Sequence, residues 1–179
     1  MCERHKPLSE AEAATPGARS SEYKTFGRSR SLRLPGFDYT QAYLAFYITM
    51  CIKDKQRLLT DKSRCAAARE ALIASCKGEG YRAIAYCIMP DHVHVLIQAG
   101  SKPRGLSSWV KRFKGVSQRA LWTLGVEGKV WQRGFYDHIL RAYEDMEDIA
   151  RYILANPVRA GLVVHSTDYA WSGLVEKPL

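Results

Sequence analysis

A chain of 179 residues with 46% apolar side chains is long enough to bury one core and fits a single domain. Its net charge of +9 points to a polyanionic partner, of which nucleic acid is the commonest and a membrane surface the alternative. No apolar run reaches the roughly 18–20 residues of a membrane-spanning helix, no signal-like segment opens the chain, and five scattered cysteines form no paired framework. The expectation is a soluble protein of a reducing cytoplasm.

Residues 1–32 read as a flexible arm, rich in Ala, Ser, Arg, Glu and Gly, with Arg19, Lys24, Arg28 and Arg30 among its basic side chains. Residues 33–179 read as the folded domain, and Leu34-Pro35-Gly36 marks its edge. The first strand alternates Leu44, Phe46, Ile48, Met50 and Ile52 with Tyr43, Ala45, Tyr47, Thr49 and Cys51. Thr60 or Asp61 then caps a helix to about Lys77, with Cys65, Ala68, Leu72 and Cys76 on one stripe. Gly78 and Gly80 are its expected stop. A strand from Tyr81 to Met89 places Ile84, Tyr86 and Ile88 on one face. Pro90-Asp91 is a two-residue turn, so the next strand pairs with it as a hairpin.

A second helix, capped by Ser107 and ending near Leu124, carries Trp109, Phe113, Val116 and Ala120 on its apolar stripe. Between Lys102 and Arg133 the only acid is Glu127. A solvated helix face normally mixes both signs, so Lys111, Arg112, Lys114, Arg119 and Arg133 are the candidates for contact with nucleic-acid phosphates. Trp109, Trp122 and Trp131 could stack on bases, although tryptophans at these spacings more often belong to a core. Trp131 to Leu140 reads as a fourth strand, and a last helix runs from Glu144 toward Asn156. Asp168-Tyr169-Ala170-Trp171 then packs its aromatics back onto the domain. The order β-α-β-β-α-β plus a helix predicts an α+β fold: a ferredoxin-like (RRM-like) split βαβ antiparallel sheet. Two helices cover one face, the other is left for a substrate, and the additional C-terminal helix carries Tyr152.

The hairpin's second strand holds the one chemical signature. In His92-Val93-His94-Val95-Leu96-Ile97, alternation puts both histidines on one face and Val93, Val95 and Ile97 on the other. Same-face neighbours lie about 7 Å apart along a strand, close enough for both rings to reach one ion. Alone, a His-x-His pair is more often structural or merely exposed. The hydrolases that use it need further Asp or His ligands close behind, and here Val95-Leu96-Ile97-Gln98 follows. Tyr152 and Asn156 share one side of the last helix. By themselves they read as a packed aromatic and a cap.

Three blocks in fixed order change that balance. Met89-Pro90-Asp91-His92-Val93-His94, Trp131-Gln132-Arg133-Gly134-Phe135-Tyr136-Asp137-His138 and Arg151-Tyr152-Ile153-Leu154-Ala155-Asn156-Pro157-Val158-Arg159-Ala160-Gly161-Leu162 resemble one family. It is the single-domain tyrosine transposases of the His-hydrophobe-His (HUH) nuclease superfamily, above all the bacterial branch associated with repetitive extragenic palindromes. The likeness spans about residues 33–172.

The resemblance implies that His92 and His94 bind Mg²⁺ or Mn²⁺ and that Tyr152 is the nucleophile, forming a 5′-phosphotyrosine. Asn156 falls where relatives place a polar third ligand, often glutamine, and His138 falls where it could support the site. The implied substrate is single-stranded or hairpin DNA, handled by a monomer or homodimer in the bacterial cytoplasm at the nucleoid. The alternative is a non-catalytic binder of structured nucleic acid with the same fold. His92, His94 and Tyr152 together favour the enzyme.

Overall fold

The computed structural model describes residues 38–140 and 146–175. The basic arm, the edge at Leu34-Pro35-Gly36, and the acidic pair Glu144 and Asp145 lie outside the described residues. The chain runs β1 (Ala45–Cys51), α1 (Lys62–Glu79), β2 (Tyr81–Met89), β3 (His92–Ala99), α2 (Leu106–Thr123), β4 (Tyr136–Ile139), α3 (Met146–Leu154), α4 (Asn156–Arg159) and β5 (Ser172–Leu174). The five strands form one antiparallel sheet in the order β4-β1-β3-β2-β5. The first four of these positions reproduce the split βαβ order expected from the sequence.

Local sequence accounts for most boundaries. Asp61 caps α1, its carboxylate accepting the Arg64 backbone N–H at 2.9 Å. The stop is Gly80 alone, at φ 76°, with Gly78 still inside the helix. A Cβ at Gly80 would also lie 2.9 Å from the Lys102 carbonyl oxygen, so conformation and space both require glycine there. Ser107 does not cap α2; the helix starts from Gly105, without a side-chain cap. The Pro90-Asp91 turn pairs Met89 with His92, as the two-residue hairpin requires.

Two cores lie on opposite faces of the sheet. On one, Phe46, Ile48, Met50, Val93, Val95 and Ile97 meet Leu72 of α1 and Trp109 and Phe113 of α2. The α2 stripe is rotated from the expected one: Leu106, Trp109, Val110, Phe113, Ser117 and Leu121 are buried, while Val116 and Ala120 are half-buried. On the other face, Tyr47, Ile84, Cys87 and Leu96 are covered by Ala150 and Ile153 of α3. This face is therefore not open along its length, as the sequence reading had it; α3 lies across it.

Two strands depart from expectation. Register shifts between Ala83 and Ala85 of β2, a bulge that sends Ile84 to the α3 side while Tyr86 and Ile88 face α1 and α2. β4 is confined to Tyr136–Ile139, and Trp131 contributes only an isolated bridge to Ile52. Over the intervening segment Lys114 Nζ donates to the carbonyls of Gln132 (2.8 Å) and Gly134 (2.7 Å). A side chain thus takes carbonyls that a longer β4 would offer to β1. Trp109 and Trp131 are core residues; Trp122 is half exposed, its indole N–H donating to the Gly128 carbonyl at 2.7 Å. Tyr169 and Trp171 do fold back, and β5 beyond them extends the sheet at β2.

Burial lowers the Lys114 ammonium from 10.5 to about 8. The unfolded chain therefore holds one more proton than the native state between those values, and stability contributed at this residue rises with pH across the window. We expect wild type to gain stability relative to Lys114→Met between pH 8 and pH 10 in urea unfolding. A stability difference independent of pH contradicts the burial of the ammonium. Among the described residues, no helix is long and apolar enough to cross a membrane.

Candidate active site

In an antiparallel pair, residues directly opposite share a face. The registers align Thr49 with His94, Cys51 with His92, His94 with Cys87, Tyr47 with His138 and Thr49 with Tyr136. The α3 side of the sheet therefore collects both histidines of β3, Tyr47 and Thr49 of β1, and Tyr136 and His138 of β4. All of the hydrophobe between the histidines goes to the opposite core, with Val93 fully buried there.

The two imidazoles meet edge to face, with ring centroids 4.6 Å apart and Nε2 facing Nε2 at 3.0 Å. Each outer nitrogen has its own partner. His92 Nδ1 lies 2.5 Å from the Asp91 carboxylate, and His94 Nδ1 lies 2.8 Å from the Tyr47 hydroxyl and 2.9 Å from that of Thr49. The carboxylate fixes the tautomer of His92: Nδ1–H donates, leaving the Nε2 lone pair aimed at His94. His94 then supplies Nε2–H to that contact, and its Nδ1 accepts from the hydroxyls. If a cation takes the place of that proton, the remaining N–H moves to Nδ1 and the same two oxygens accept it.

Electrostatics keep both rings uncharged. Burial lowers the His92 pKa despite the opposing Asp91 carboxylate. Burial holds His94 well below its ordinary value, helped by charge at His92, Arg159 and Lys55. Both rings are therefore neutral near pH 7, the form that ligates. Burial alone would raise the Asp91 carboxyl, but the hydrogen bond from His92 and the charges of His92 and Lys55 bring it below its ordinary value.

The donor set fits a divalent ion. Two nitrogens 3.0 Å apart match the spacing of adjacent ligands around a six-coordinate ion with bonds of about 2.1 Å. Carboxylate and hydroxyl partners behind the rings are the usual second layer of such sites. Among the described residues no group of three or more His, Cys, Asp or Glu side chains joins them, so the protein would offer two of these ligands and leave other positions to substrate or water.

Over this face runs α3. Ala150 and Ile153 are its buried residues, Met146 and Ile149 pack beside them, and this leaves Tyr152 half-buried at the stripe's border. The Tyr152 ring stands edge-on to Tyr47 at 6.1 Å, and Tyr47, only 3% exposed, also stacks on His94 at 5.7 Å. One aromatic residue therefore separates the tyrosine of α3 from the histidine pair. The Arg159 guanidinium lies over the Tyr152 ring, 3.8 Å from its centroid.

Asn156 is engaged locally. Its Nδ2 donates to the carbonyls of Tyr152 (3.2 Å) and Ile153 (3.0 Å), and its Oδ1 accepts from Arg159 at 2.9 Å. These contacts cap the C-terminal end of α3, where Pro157 cannot continue the ladder. We expect Asn156→Ala to lose about 1 kcal/mol of stability with no change in the metal concentration giving half-maximal cleavage. A raised metal requirement at unchanged stability would instead make Asn156 a ligand.

The basic residues separate from this cluster. Lys111, Arg112 and Arg119 are exposed on α2, in the layer across the sheet from His92 and His94. Arg112 lies 3.8 Å from the buried Glu79 carboxylate, and Lys114 is turned inward to its two carbonyls rather than outward to phosphate. Arg133, exposed between the two residues whose carbonyls Lys114 holds, precedes β4. His138 sits on β4 opposite Tyr47. Sequence reasoning did not single out Tyr47, Thr49, Asp91 or Arg159 as site residues. The first two needed the pairing of β1 with β3, which no local pattern encodes; the last two lay inside the matching blocks themselves.

Comparison with known proteins shows the family. Residues 40–156 match the family model described as "Transposase IS200 like". A Haemophilus influenzae protein, assigned by name to the REP-associated tyrosine transposases, is 28% identical over 151 residues, covering 75% of this chain and 81% of its own. The Escherichia coli K12 REP-associated tyrosine transposase is 23% identical over 139 residues, with the same shares. A REP-associated tyrosine transposase solved with a REP hairpin bound shares the fold, with a TM-score of 0.63 and 22% identity over 76% of this chain and 79% of that one. The chain belongs to the IS200-like transposase family.

Proposed function

We propose that this transposase cuts and rejoins single strands of DNA at hairpin-forming repeats, through a covalent link between Tyr152 and a 5′ phosphate. The observation that carries the reading is the meeting of His92 and His94 at 3.0 Å on the sheet face crossed by α3, with Tyr47 bridging from His94 to Tyr152. The named relatives, two of them REP-associated tyrosine transposases and one solved on a REP hairpin, support the substrate class.

His92 and His94 would hold Mg²⁺ or Mn²⁺, which supplies Lewis-acid polarisation of the scissile phosphate and neutralises charge on its oxygens. The chain's own residues do the rest. Asp91 orients His92, and Tyr47 and Thr49 orient His94. The Tyr152 oxygen attacks phosphorus, a P–O bond to tyrosine forms, and the P–O3′ bond breaks. The proton lost by the phenol is balanced by the one gained by the departing 3′-oxygen. One phosphodiester thus replaces another, so a second 3′-hydroxyl can reverse the exchange and join strands without ATP. Lys111, Arg112 and Arg119 are assigned to phosphates away from the cut, because α2 lies across the sheet from the histidines; Arg133, on the segment before β4, is assigned to phosphate as well.

The test is incubation of the protein with hairpin oligonucleotides carrying single-stranded flanks, with Mg²⁺ or Mn²⁺, followed by a denaturing gel. The expected product is a slow, protease-sensitive band on the 5′ end of the released strand. Hairpin binding without any such band, on every repeat tried, moves the protein to the binder class.

A further inference from the structure

Arg159 ends α4 inside the third matching block, and the reaction as described above gives it nothing to do. Its guanidinium lies 3.8 Å from the centre of the Tyr152 ring. One terminal nitrogen is fixed there, donating to the Tyr152 carbonyl at 3.1 Å and to Asn156 Oδ1 at 2.9 Å. Among the described residues no carboxylate pairs with it, and its Nε and second terminal nitrogen have no hydrogen-bond partner. The side chain is exposed, yet its charge reaches the buried His94 and Cys87 on the sheet beneath.

A tethered cation with open donors, lying on an aromatic ring and near enough to act electrostatically on His94, is unusual on a solvated surface. A free arginine there would keep its rotamer entropy, whereas this one is held in a single orientation by two acceptors and a ring face. The planar fork of arginine matches two non-bridging phosphate oxygens. We propose that Arg159 grips the scissile phosphate with its unpaired donors, directing it onto Tyr152 and opposing the charge that grows on the phosphoryl oxygens during attack. Asn156 is then a positioning residue: by accepting from Arg159 it fixes the fork over the ring. The inference rests on Tyr152 being the nucleophile and adds the group that receives its target.

The test uses the full chain, once the wild-type adduct has located the cleaved phosphate. Arg159→Gln retains a donor for the Tyr152 carbonyl and removes the charge. Single-turnover adduct formation is expected to slow by about 10²–10³-fold, with Arg159→Lys intermediate, while melting temperature and hairpin gel shift stay near wild type. A hairpin whose scissile phosphodiester is replaced by a neutral methylphosphonate has no charge to grip, so the gap between wild type and Arg159→Gln should close on it. A rate for Arg159→Gln within about threefold of wild type on the phosphodiester, set against the loss expected for a phosphate donor, overturns the proposal and leaves Tyr152 untouched. A gap of equal size on the methylphosphonate also overturns it, because a structural defect ignores substrate charge. If neither protein cuts the neutral linkage, or Arg159→Gln does not fold, Arg159→Lys decides: a rate no better than that of Arg159→Gln or Arg159→Ala overturns the assignment. Absence of any wild-type adduct removes the nucleophile itself, and this inference with it.

Discussion

Tyr152→Phe should bind hairpin DNA as wild type does and form no covalent adduct with it. Phenylalanine keeps the ring that stands against Tyr47 and beneath Arg159, so the packing of α3 and the cation–ring contact survive. One oxygen disappears, and with it the only atom proposed to bond to phosphorus. We expect strand cleavage to fall by at least about 10³-fold, the scale seen when a nucleophile is removed, with a melting temperature close to wild type. Three other tyrosines are rivals. Tyr47 is bound to His94 Nδ1 and Tyr136 is held on β4, opposite Thr49; Tyr143 lies outside the described residues. Peptide mapping of the wild-type adduct discriminates among them, and phosphate on any residue but Tyr152 sinks the assignment.

The histidine pair could be placed from the sequence because its determinants are local. Alternation in β3 fixes which side chains share a face, and a two-residue turn fixes its pairing with β2. The four-strand order followed from the succession of elements, since few topologies accommodate β-α-β-β-α-β with short connections. What surrounds the histidines was hidden, because it depends on contacts distant in sequence. Tyr47 reaches His94 across 47 positions, through a strand pairing that no spacing rule specifies. The bulge that turns Ile84 to the α3 side breaks the period by a single residue inside a strand otherwise in phase.

The basic helix shows a different limit. Composition found the charges on α2 but not their direction, and it could not see that Lys114 folds inward onto the segment before β4. Charge counts report a long-range field, whereas burial of one ammonium is a matter of two carbonyls. Asn156 shows the reverse: by itself its polar side chain at a helix end read as a cap, the resemblance alone implied a ligand, and the three hydrogen bonds around it, invisible in the sequence, are those of a cap.

Replacing His92 and His94 together by alanine should abolish metal-stimulated cleavage and leave hairpin binding intact, because the phosphate contacts assigned to α2 lie across the sheet. Titration calorimetry with Mn²⁺ in the absence of DNA should show the ion binding wild type and not the double variant. Asp91→Asn should weaken that binding by about 10–100-fold, the usual effect of removing the partner behind a ligating imidazole. A third readout needs no metal. In the apo protein both histidines titrate below their ordinary value, chiefly through burial. As pH falls below about 6.5, the unfolded chain takes up protons at these positions that the native state refuses, so native stability drops. The contribution is fully present above the unfolded value and is lost toward acid. The double alanine variant lacks both groups and should therefore lose less stability than wild type between pH 7 and pH 5 in urea unfolding. Part of that difference is offset at every pH, since the Tyr47 hydroxyl, buried beside His94, loses a partner in the variant. The offset is constant with pH and does not imitate the slope. Equal acid sensitivity in the two proteins contradicts the burial of the pair, and cleavage that persists in the double variant with Mg²⁺ removes the metal from the reaction.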